Sequence, residues 1–282
     1  MQTNWLSKVL VVVALLPGSL ANLAHAATPL TFTLVHEYLI VIPVSINGAP
    51  PAQFLLDTGT NTTLVTTEFA RQLSLRPIGR VELLTVAGAQ LVVQTQANTV
   101  AVGAHTVRGL EVLISDLGAV RQTVPQVSGV LGMNFLARFN YLLDYRARQL
   151  ALEVDEAAYC GERLPFIFEE DRWFVLTREG ARDRRYVLDS GIRLPLLFQP
   201  LAAFEVLPAL PAHGQVRTDA GSRAIQQRRL RSLQLGRTRW TEVPVGFIPG
   251  EQRREDGLLP TSLCERIYFN HQQHYVILNP AR

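Results

Sequence analysis

The chain has 282 residues, of which 48% are hydrophobic and 18% are charged, and its formal net charge is +3. This composition excludes a disordered or acidic low-complexity chain and is sufficient for a sizeable core. No run of 18 apolar residues occurs beyond residue 30, which excludes a polytopic membrane protein. Two cysteines exclude a disulfide-dense scaffold and a zinc site made mainly of thiolates.

Residues 1–26 have the pattern of a secretory signal peptide. Lys8 precedes an apolar stretch at residues 9–16, and residues 24–26 (AHA) are the small-residue site that signal peptidase requires. We predict cleavage directly before Ala27, with an uncleaved N-terminal anchor as the alternative. The mature chain is then periplasmic or secreted, and nucleic acid is not expected to be its partner.

Segments rich in β-branched and aromatic residues alternate with turn signals along the mature chain, which is typical of β-structure. In the first half the predicted strands are Tyr38–Ile46, Gln53–Asp57, Val81–Val86, Leu91–Gln96, Thr99–Val102 and Leu110–Ile114. Two short helices are predicted, one capped by Thr66 or Thr67 and ending at Leu73, the other capped by Asn134 and ending at Arg138. The pattern predicts an all-β protein with a few short helices.

The second half of the chain repeats the first. Three pairs of segments align in the same order at an offset of about 130 residues: Ile46–Thr60 with Arg178–Ile192, Thr85–Gly103 with Thr218–Gly236, and Gly129–Phe139 with Gly257–Ile267. A constant order and offset predict an internal duplication and two lobes related by pseudo-two-fold symmetry. We assign residues 27–158 to the N-terminal lobe and residues 159–282 to the C-terminal lobe.

Matching aspartates end an apolar segment in each half, at Asp57-Thr58-Gly59 and at Asp189-Ser190-Gly191. A two-fold relation would bring both turns together, and two adjacent carboxylates share one proton because they cannot both ionise cheaply. Such a pair activates a water molecule and protonates a leaving group, as amide hydrolysis requires. The alternative is a structural turn in which each aspartate caps its own backbone.

These motifs resemble the pepsin and retropepsin superfamily of aspartic peptidases, and the first half is similar to the bacterial retropepsin-like pattern. The segments that carry the resemblance are NGAPPAQFLLDTGTNTTLV and, later, SGVLGMNFLARFNYLLDYRARQLAL. The resemblance implies two lobes with a cleft between them and one catalytic aspartate from each. It also implies that Thr58 and Ser190 cross-brace the two turns, and that Gly59 and Gly191 donate backbone N–H groups to the carboxylates. Residues 130–132 are the threaded segment beside the first turn.

A flap over the cleft is a further implication of the resemblance. It is expected in the hairpin around Gly88, so that Val86, Ala87, Gly88 and Ala89 face the substrate. This hairpin has no tyrosine, unlike the flap of pepsins. The matching hairpin around Gly221 is then a candidate second flap, as in a retropepsin dimer fused into one chain.

The sequence departs from the family pattern at three places. Thr60 follows the first turn, and its hydroxyl is expected to donate a hydrogen bond to Asp57, whereas Ile192 at the matching place has no donor. We therefore expect Asp57 to be the more readily ionised member of the pair. Pro260 replaces the glycine of the second threaded segment, so the second half is the more divergent.

Other residue groups give weaker signals. His271 and His274 lack the additional ligands of a metal motif, so no metal or other cofactor is predicted. Cys160 and Cys264 allow a disulfide in an oxidising compartment, with a buried free thiol at Cys264 as the alternative. The arginines of residues 217–239 indicate either a solvated face or a basic surface for weak contact with the cell envelope.

The sequence thus predicts a monomeric, exported aspartic endopeptidase acting on peptides or proteins. A non-catalytic module that binds a peptide or an envelope component on the same fold is the alternative, because fold alone does not establish activity.

Overall fold

The structure is a computed structural model that describes residues 28–179, 182–208, 212–248 and 253–281. The predicted signal peptide lies outside the described residues. Strands dominate, and the helices are few and short. The predicted all-β architecture is therefore confirmed. In the described ranges no helix has the length and apolarity needed to cross a membrane.

The elements of the first half begin with a short edge strand and end before the segment that joins the halves. Its strands are β1 (Leu30–Thr31), β2 (Thr33–Val35), β3 (Leu39–Ile46), β4 (Ala52–Leu56), β5 (Thr63–Val65), β6 (Pro77–Thr85), β7 (Gly88–Val102), β8 (His105–Ile114), β9 (Gly129–Leu131), β10 (Tyr141–Asp144) and β11 (Gln149–Leu152). Its helices are α1 (Thr67–Gln72), α2 (Gly118–Thr123) and α3 (Met133–Leu136).

The second half has strands in the same succession. A 3₁₀ turn at Glu156–Ala158 precedes it, and two more lie within it, at Leu201–Ala203 and Thr261–Leu263. Its strands are β12 (Arg163–Glu169), β13 (Arg172–Glu179), β14 (Arg182–Asp189), β15 (Leu196–Leu197), β16 (Ala212–Thr218), β17 (Gly221–Leu235), β18 (Thr238–Phe247), β19 (Gly257–Pro260), β20 (Arg266–Asn270) and β21 (Tyr275–Leu278).

The position of strand β3 between two apolar clusters explains why its sequence is an almost continuous apolar run. Ile40 and Ile42 face the main core, which extends through both halves, while Leu39 and Val41 face a second cluster on the other side of the sheet. Both faces of the strand are therefore covered, so alternation with polar residues is not needed. The sheet has the order β2-β3-β4-β9-β5-β8-β7-β6, which places β4 and β9 side by side.

The same local arrangement recurs in both halves and gives the molecule its pseudo-two-fold symmetry. β4 pairs in parallel with β9, as β14 does with β19, and β5 pairs in parallel with β8, as β15 does with β18. β7 and β17 are each 15 residues long and begin at glycines with φ of 146° and 138°. The recurrence brings the ends of β4 and β14 to the centre of the molecule.

An antiparallel sheet joins the two halves beneath this centre. It comprises the first six strands, β1-β11-β10-β20-β21-β12, of a 13-stranded sheet that continues through β13-β14-β19-β15-β18-β17-β16, and β10 of the first half pairs directly with β20 of the second. The rings of Tyr141 and Phe269 stack across this pairing with centroids 4.6 Å apart. Stacked, buried aromatic rings add stability beyond their burial, so the junction is firmly packed.

Two local predictions need correction. The predicted strands Leu91–Gln96 and Thr99–Val102 are parts of one strand, β7, because the intervening Ala97 is buried and pairs with Leu110. Asn134 does not cap α3, because Gly132 occupies the cap position. Instead, the Asn134 side chain accepts hydrogen bonds from the backbone and hydroxyl of Thr63, at 3.0 and 2.8 Å.

Candidate active site

Two strands whose last residues before the aspartate are apolar carry the matched aspartates into the centre of the molecule. Leu56 and Leu188 are buried immediately before Asp57 and Asp189, and each strand is held by its parallel neighbour. The turns approach so closely that a Cβ added to Gly59 would lie 2.3 Å from Cγ of Asp189. Glycine is therefore required there by the contact with the opposite carboxyl group.

A reciprocal set of hydrogen bonds braces the two turns. The backbone N–H of Thr58 donates to Oγ of Ser190 at 3.0 Å, and that of Ser190 donates to Oγ1 of Thr58 at 3.1 Å. The Thr58 hydroxyl donates to the Leu188 carbonyl, and the Ser190 hydroxyl donates to the Leu56 carbonyl, both at 2.7 Å. Both hydroxyls are buried and satisfied as donor and acceptor, so the brace fixes one half against the other.

Removal of the Ser190 hydroxyl is expected to destabilise the fold. Ser190→Ala leaves the buried Thr58 N–H and Leu56 carbonyl without partners, which costs about 2 kcal/mol in the free energy of unfolding. Chemical denaturation measures this cost, and Ser222→Ala at an exposed position of β17 is the matched control. Equal denaturation midpoints for the two variants would contradict the bracing role.

The two carboxyl groups titrate as a pair. Burial raises the pKa of Asp57, and the backbone N–H of Gly59, which donates to Oδ1 at 2.8 Å, partly opposes this rise. Burial and the neighbouring charge of Asp57 raise the pKa of Asp189 well above its usual range, opposed by the Gly191 N–H at 2.7 Å. The pKa of Asp189 is therefore raised more strongly than that of Asp57, as expected when two buried carboxyl groups interact.

This asymmetry has the predicted sense, but its predicted cause is wrong. The Thr60 hydroxyl donates to the Thr62 carbonyl, at 3.5 Å, and not to Asp57. The Gly59 N–H, the Asp189 carboxyl group and Arg172 lower the pKa of Asp57 most, and the backbone of Thr60 adds the smallest of these effects by hydrogen bonding. Ile192, at the matching place, packs partly buried against the apolar cluster of the second half.

The threaded segments beside the turns differ as the sequence indicates. A Cβ on Gly132 would lie 2.7 Å from the backbone of Thr62, so the chain leaving the first turn requires glycine there. Pro260 pairs in register with Asp189 at the end of β19 and leads into a 3₁₀ turn instead of a helix. The second half thus extends its parallel pairing where the first half bends into α3.

Two hairpins cover the carboxyl pair and meet above it. The first, β6–β7, turns at Val86-Ala87, and the second, β16–β17, turns at Asp219-Ala220. The hydroxyls of Thr85 and Thr218 lie 2.9 Å apart where the tips meet. These two hairpins, termed the first and second flap, are at the places that the sequence predicted.

Each flap tip is anchored to the opposite half. Val86 packs against the apolar cluster of the second half, and Arg253 donates a hydrogen bond to its carbonyl at 3.2 Å. Asp219 accepts hydrogen bonds from the Ala119 N–H at 2.8 Å and the Ser115 hydroxyl at 3.2 Å. The described arrangement is therefore a closed one, with both flaps across the cleft.

A cavity of about 420 Å³ lies between the flaps and the carboxyl pair. Among the predicted flap residues only Val86 lines it, whereas residues 87–89 form the turn and the start of β7. Tyr38, Arg172 and Arg193 also line the cavity, and the sequence analysis did not identify them. A signal was present for Arg193, which follows the second turn by one residue, but the other two are distant in sequence from either aspartate.

Of the other candidate residues, Arg217 at the start of the basic segment lines the cavity. The His271 ring is enclosed by the aromatic rings of Tyr141, Phe166, Trp173 and Phe269. No group of three potential metal ligands occurs among the residues the structure describes.

The possible disulfide between Cys160 and Cys264 is not formed, which corrects that prediction. Both cysteines are free, Cys160 exposed and Cys264 buried. Cys160 exchanges backbone hydrogen bonds with Ala281 near the C-terminus, whereas Cys264 belongs to the main core. Burial raises the pKa of the Cys264 thiol to about 12.

A comparison with protein-family models supports the resemblance for part of the chain. Residues 42–135 match the family model described as aspartyl protease, and this segment contains Asp57 but not Asp189. Among solved structures, the chain is similar to a retropepsin-like aspartic protease from Rickettsia conorii, with 20% identity and a TM-score of 0.35 over 45% of this chain and 90% of that chain. No curated protein matches. The family match supports an aspartic protease in general terms.

Proposed function

We propose that the chain is an aspartic endopeptidase in which Asp57 and Asp189 together activate one water molecule to hydrolyse a peptide bond. The observation that carries the proposal is the reciprocal brace between Thr58 and Ser190, which holds two carboxyl groups together beneath a covered cavity. A purely structural turn would need no second, matching carboxyl group on the opposite half. The match of residues 42–135 to aspartyl proteases supports aspartic protease activity in general and the part of Asp57 in it.

The unequal pKa values of the pair assign a role to each aspartate. Asp57, the more readily ionised, accepts a proton from the water molecule as its oxygen attacks the carbonyl carbon. Asp189 donates its proton to the carbonyl oxygen, which gives a neutral tetrahedral diol. The diol then returns a hydroxyl proton to Asp189, the amide nitrogen takes the proton held by Asp57, and the C–N bond breaks.

The substrate is proposed to be an extended peptide beneath the flaps. Paired strands that border a cleft bind a peptide through backbone hydrogen bonds while pockets select alternate side chains. The cavity volume of about 420 Å³ lies within the range of binding sites. Export to the periplasm or beyond is part of the same proposal. So is a monomeric state, because both halves of the site come from one chain.

An unbiased peptide library tests the proposal. The chain beginning at Ala27 is incubated with the library between about pH 3 and pH 8, and new termini are identified by mass spectrometry. We expect cleavage by the unsubstituted protein and none by Asp57→Asn. No cleavage at any pH by folded protein, with retention of peptides on it, would favour the binding module instead.

A further inference from the structure

The two halves of the chain place different side chains in the cavity at one position that matches between them. Tyr38 follows the turn His36-Glu37, and Arg172 follows the turn Glu170-Asp171, with all four turn residues at positive φ. Both Tyr38 and Arg172 line the cavity. The repeated architecture therefore offers a phenol on one side of the carboxyl pair and a guanidinium on the other.

The guanidinium of Arg172 is poised for an additional acceptor. Its Nε is buried and has no hydrogen-bond partner among the described residues. The side chain of Asn61 donates to the Asp171 carbonyl, which holds the turn before Arg172 against the first half. A buried donor without a partner is costly, and an anionic acceptor on a bound peptide would remove that cost.

The charges around the cavity favour an anionic ligand group. Besides Arg172, the cations Arg193 and Arg217 line it. The acids that line it are the catalytic pair and Asp219, and both oxygens of Asp219 already accept hydrogen bonds from Ala119 and Ser115. Among the described residues that line the cavity, the catalytic pair are thus the only acids without such bonds to the first half that these arginines could meet.

We propose that Arg172 is a specificity-determining residue that binds a carboxylate of the peptide substrate, so that the enzyme prefers an acidic group on one side of the scissile bond. This inference rests on the function proposed above. The carboxylate has two sources, an Asp or Glu side chain or the C-terminus of the peptide. Arginine suits either of them because its planar guanidinium pairs with a carboxylate in a bidentate manner.

Matched peptides test the inference. A neutral peptide cleaved by the enzyme is varied so that Glu or Gln occupies each position from three before to three after the bond, with the C-terminus free or amidated. We expect Glu to exceed Gln in kcat/KM at one position by at least about tenfold, and Arg172→Gln to abolish that preference. Arg172→Glu should favour Lys at the same position. A preference confined to the free C-terminus would identify the terminal carboxylate as the ligand.

The comparison is designed so that other effects of Arg172 cancel. Arg172 also lowers the pKa of both aspartates, but the Glu and Gln peptides meet the same pair, so their ratio at one pH reports recognition alone. Arg178→Gln, at an exposed position of the same strand β13, is the control for lost charge and should retain the preference. Equal cleavage of all pairs, or a preference that survives Arg172→Gln, would overturn the inference.

A binding measurement keeps this test separate from the proposed function. Two peptide libraries are prepared that are identical except that one contains Glu where the other contains Gln. Their binding to Asp57→Asn is measured, and this measurement needs no catalysis. The Glu library should bind more tightly to Asp57→Asn than to the double variant with Arg172→Gln. Equal binding would overturn the inference even if the neutral peptide is cleaved, and tighter binding would support it even if no peptide is cleaved.

Discussion

Replacement of Asp189 by asparagine is expected to lower kcat/KM by at least about a thousandfold, because an amide at this position cannot donate the proton that the carbonyl oxygen requires. Asparagine has nearly the same shape, and it removes a buried carboxyl group whose pKa is raised well above its usual range by burial and by Asp57. The fold should therefore persist. Initial rates on one neutral peptide, with unfolding monitored in parallel, measure both effects.

The matched control for this loss is Asp183→Asn, on the exposed part of the same strand β14. It makes the same Asp-to-Asn replacement far from the cavity and should retain the activity of the unsubstituted protein. Asp189 matters especially because the segment that matches aspartyl proteases stops before it. Full activity in Asp189→Asn would mean that the second half contributes no catalytic carboxyl group.

Acidification is expected to destabilise the protein through His271. Burial, and secondarily the charge of His274, lower the pKa of His271 from 6.5 to about 3, and both ring nitrogens are buried with no hydrogen-bond partner in the part of the chain that the structure describes. Above pH 6.5 the ring is neutral in both the folded and the unfolded protein, so it costs no stability. As the pH falls from there towards about 3, only the unfolded chain binds the proton, and the free energy of unfolding decreases. The loss is about 1.4 kcal/mol for each pH unit in that window.

His271→Leu separates this contribution from all others. The free energy of unfolding of the variant, relative to the unsubstituted protein, should rise by about 3 kcal/mol between about pH 7 and pH 4. Denaturant titrations at both pH values measure it, and His213→Leu at an exposed position of β16 is the control. A stability difference that does not change with pH would exclude His271 as the source of acid sensitivity.

The sequence was most informative where one residue type alone meets a requirement. The turns at Asp57 and Asp189 could be predicted because each combines an apolar strand, a carboxylate, a hydroxyl and a glycine. The structure uses each of these groups, down to the contact of Gly59 with Asp189. The hairpin at Gly88 could be found for the same reason, since its φ of 146° favours glycine.

Features that depend on tertiary contacts were beyond a single sequence. The direction of the Thr60 hydroxyl is decided by the nearby Thr62 carbonyl, which no local pattern reveals. Tyr38 and Arg172 line the cavity although neither belongs to the sequence motif of either aspartate. The sheet that joins β10 to β20 likewise pairs segments more than a hundred residues apart.

The most direct measurement is the activity of a one-to-one mixture of Asp57→Asn and Asp189→Asn, unfolded and refolded together and assayed on a neutral peptide. If one chain supplies both carboxyl groups of a site, every chain in the mixture carries a defective pair. We predict that the mixture is as inactive as each variant alone. Recovery of a substantial fraction of the unsubstituted activity would contradict this, because it would mean that the two aspartates of a working site come from different chains.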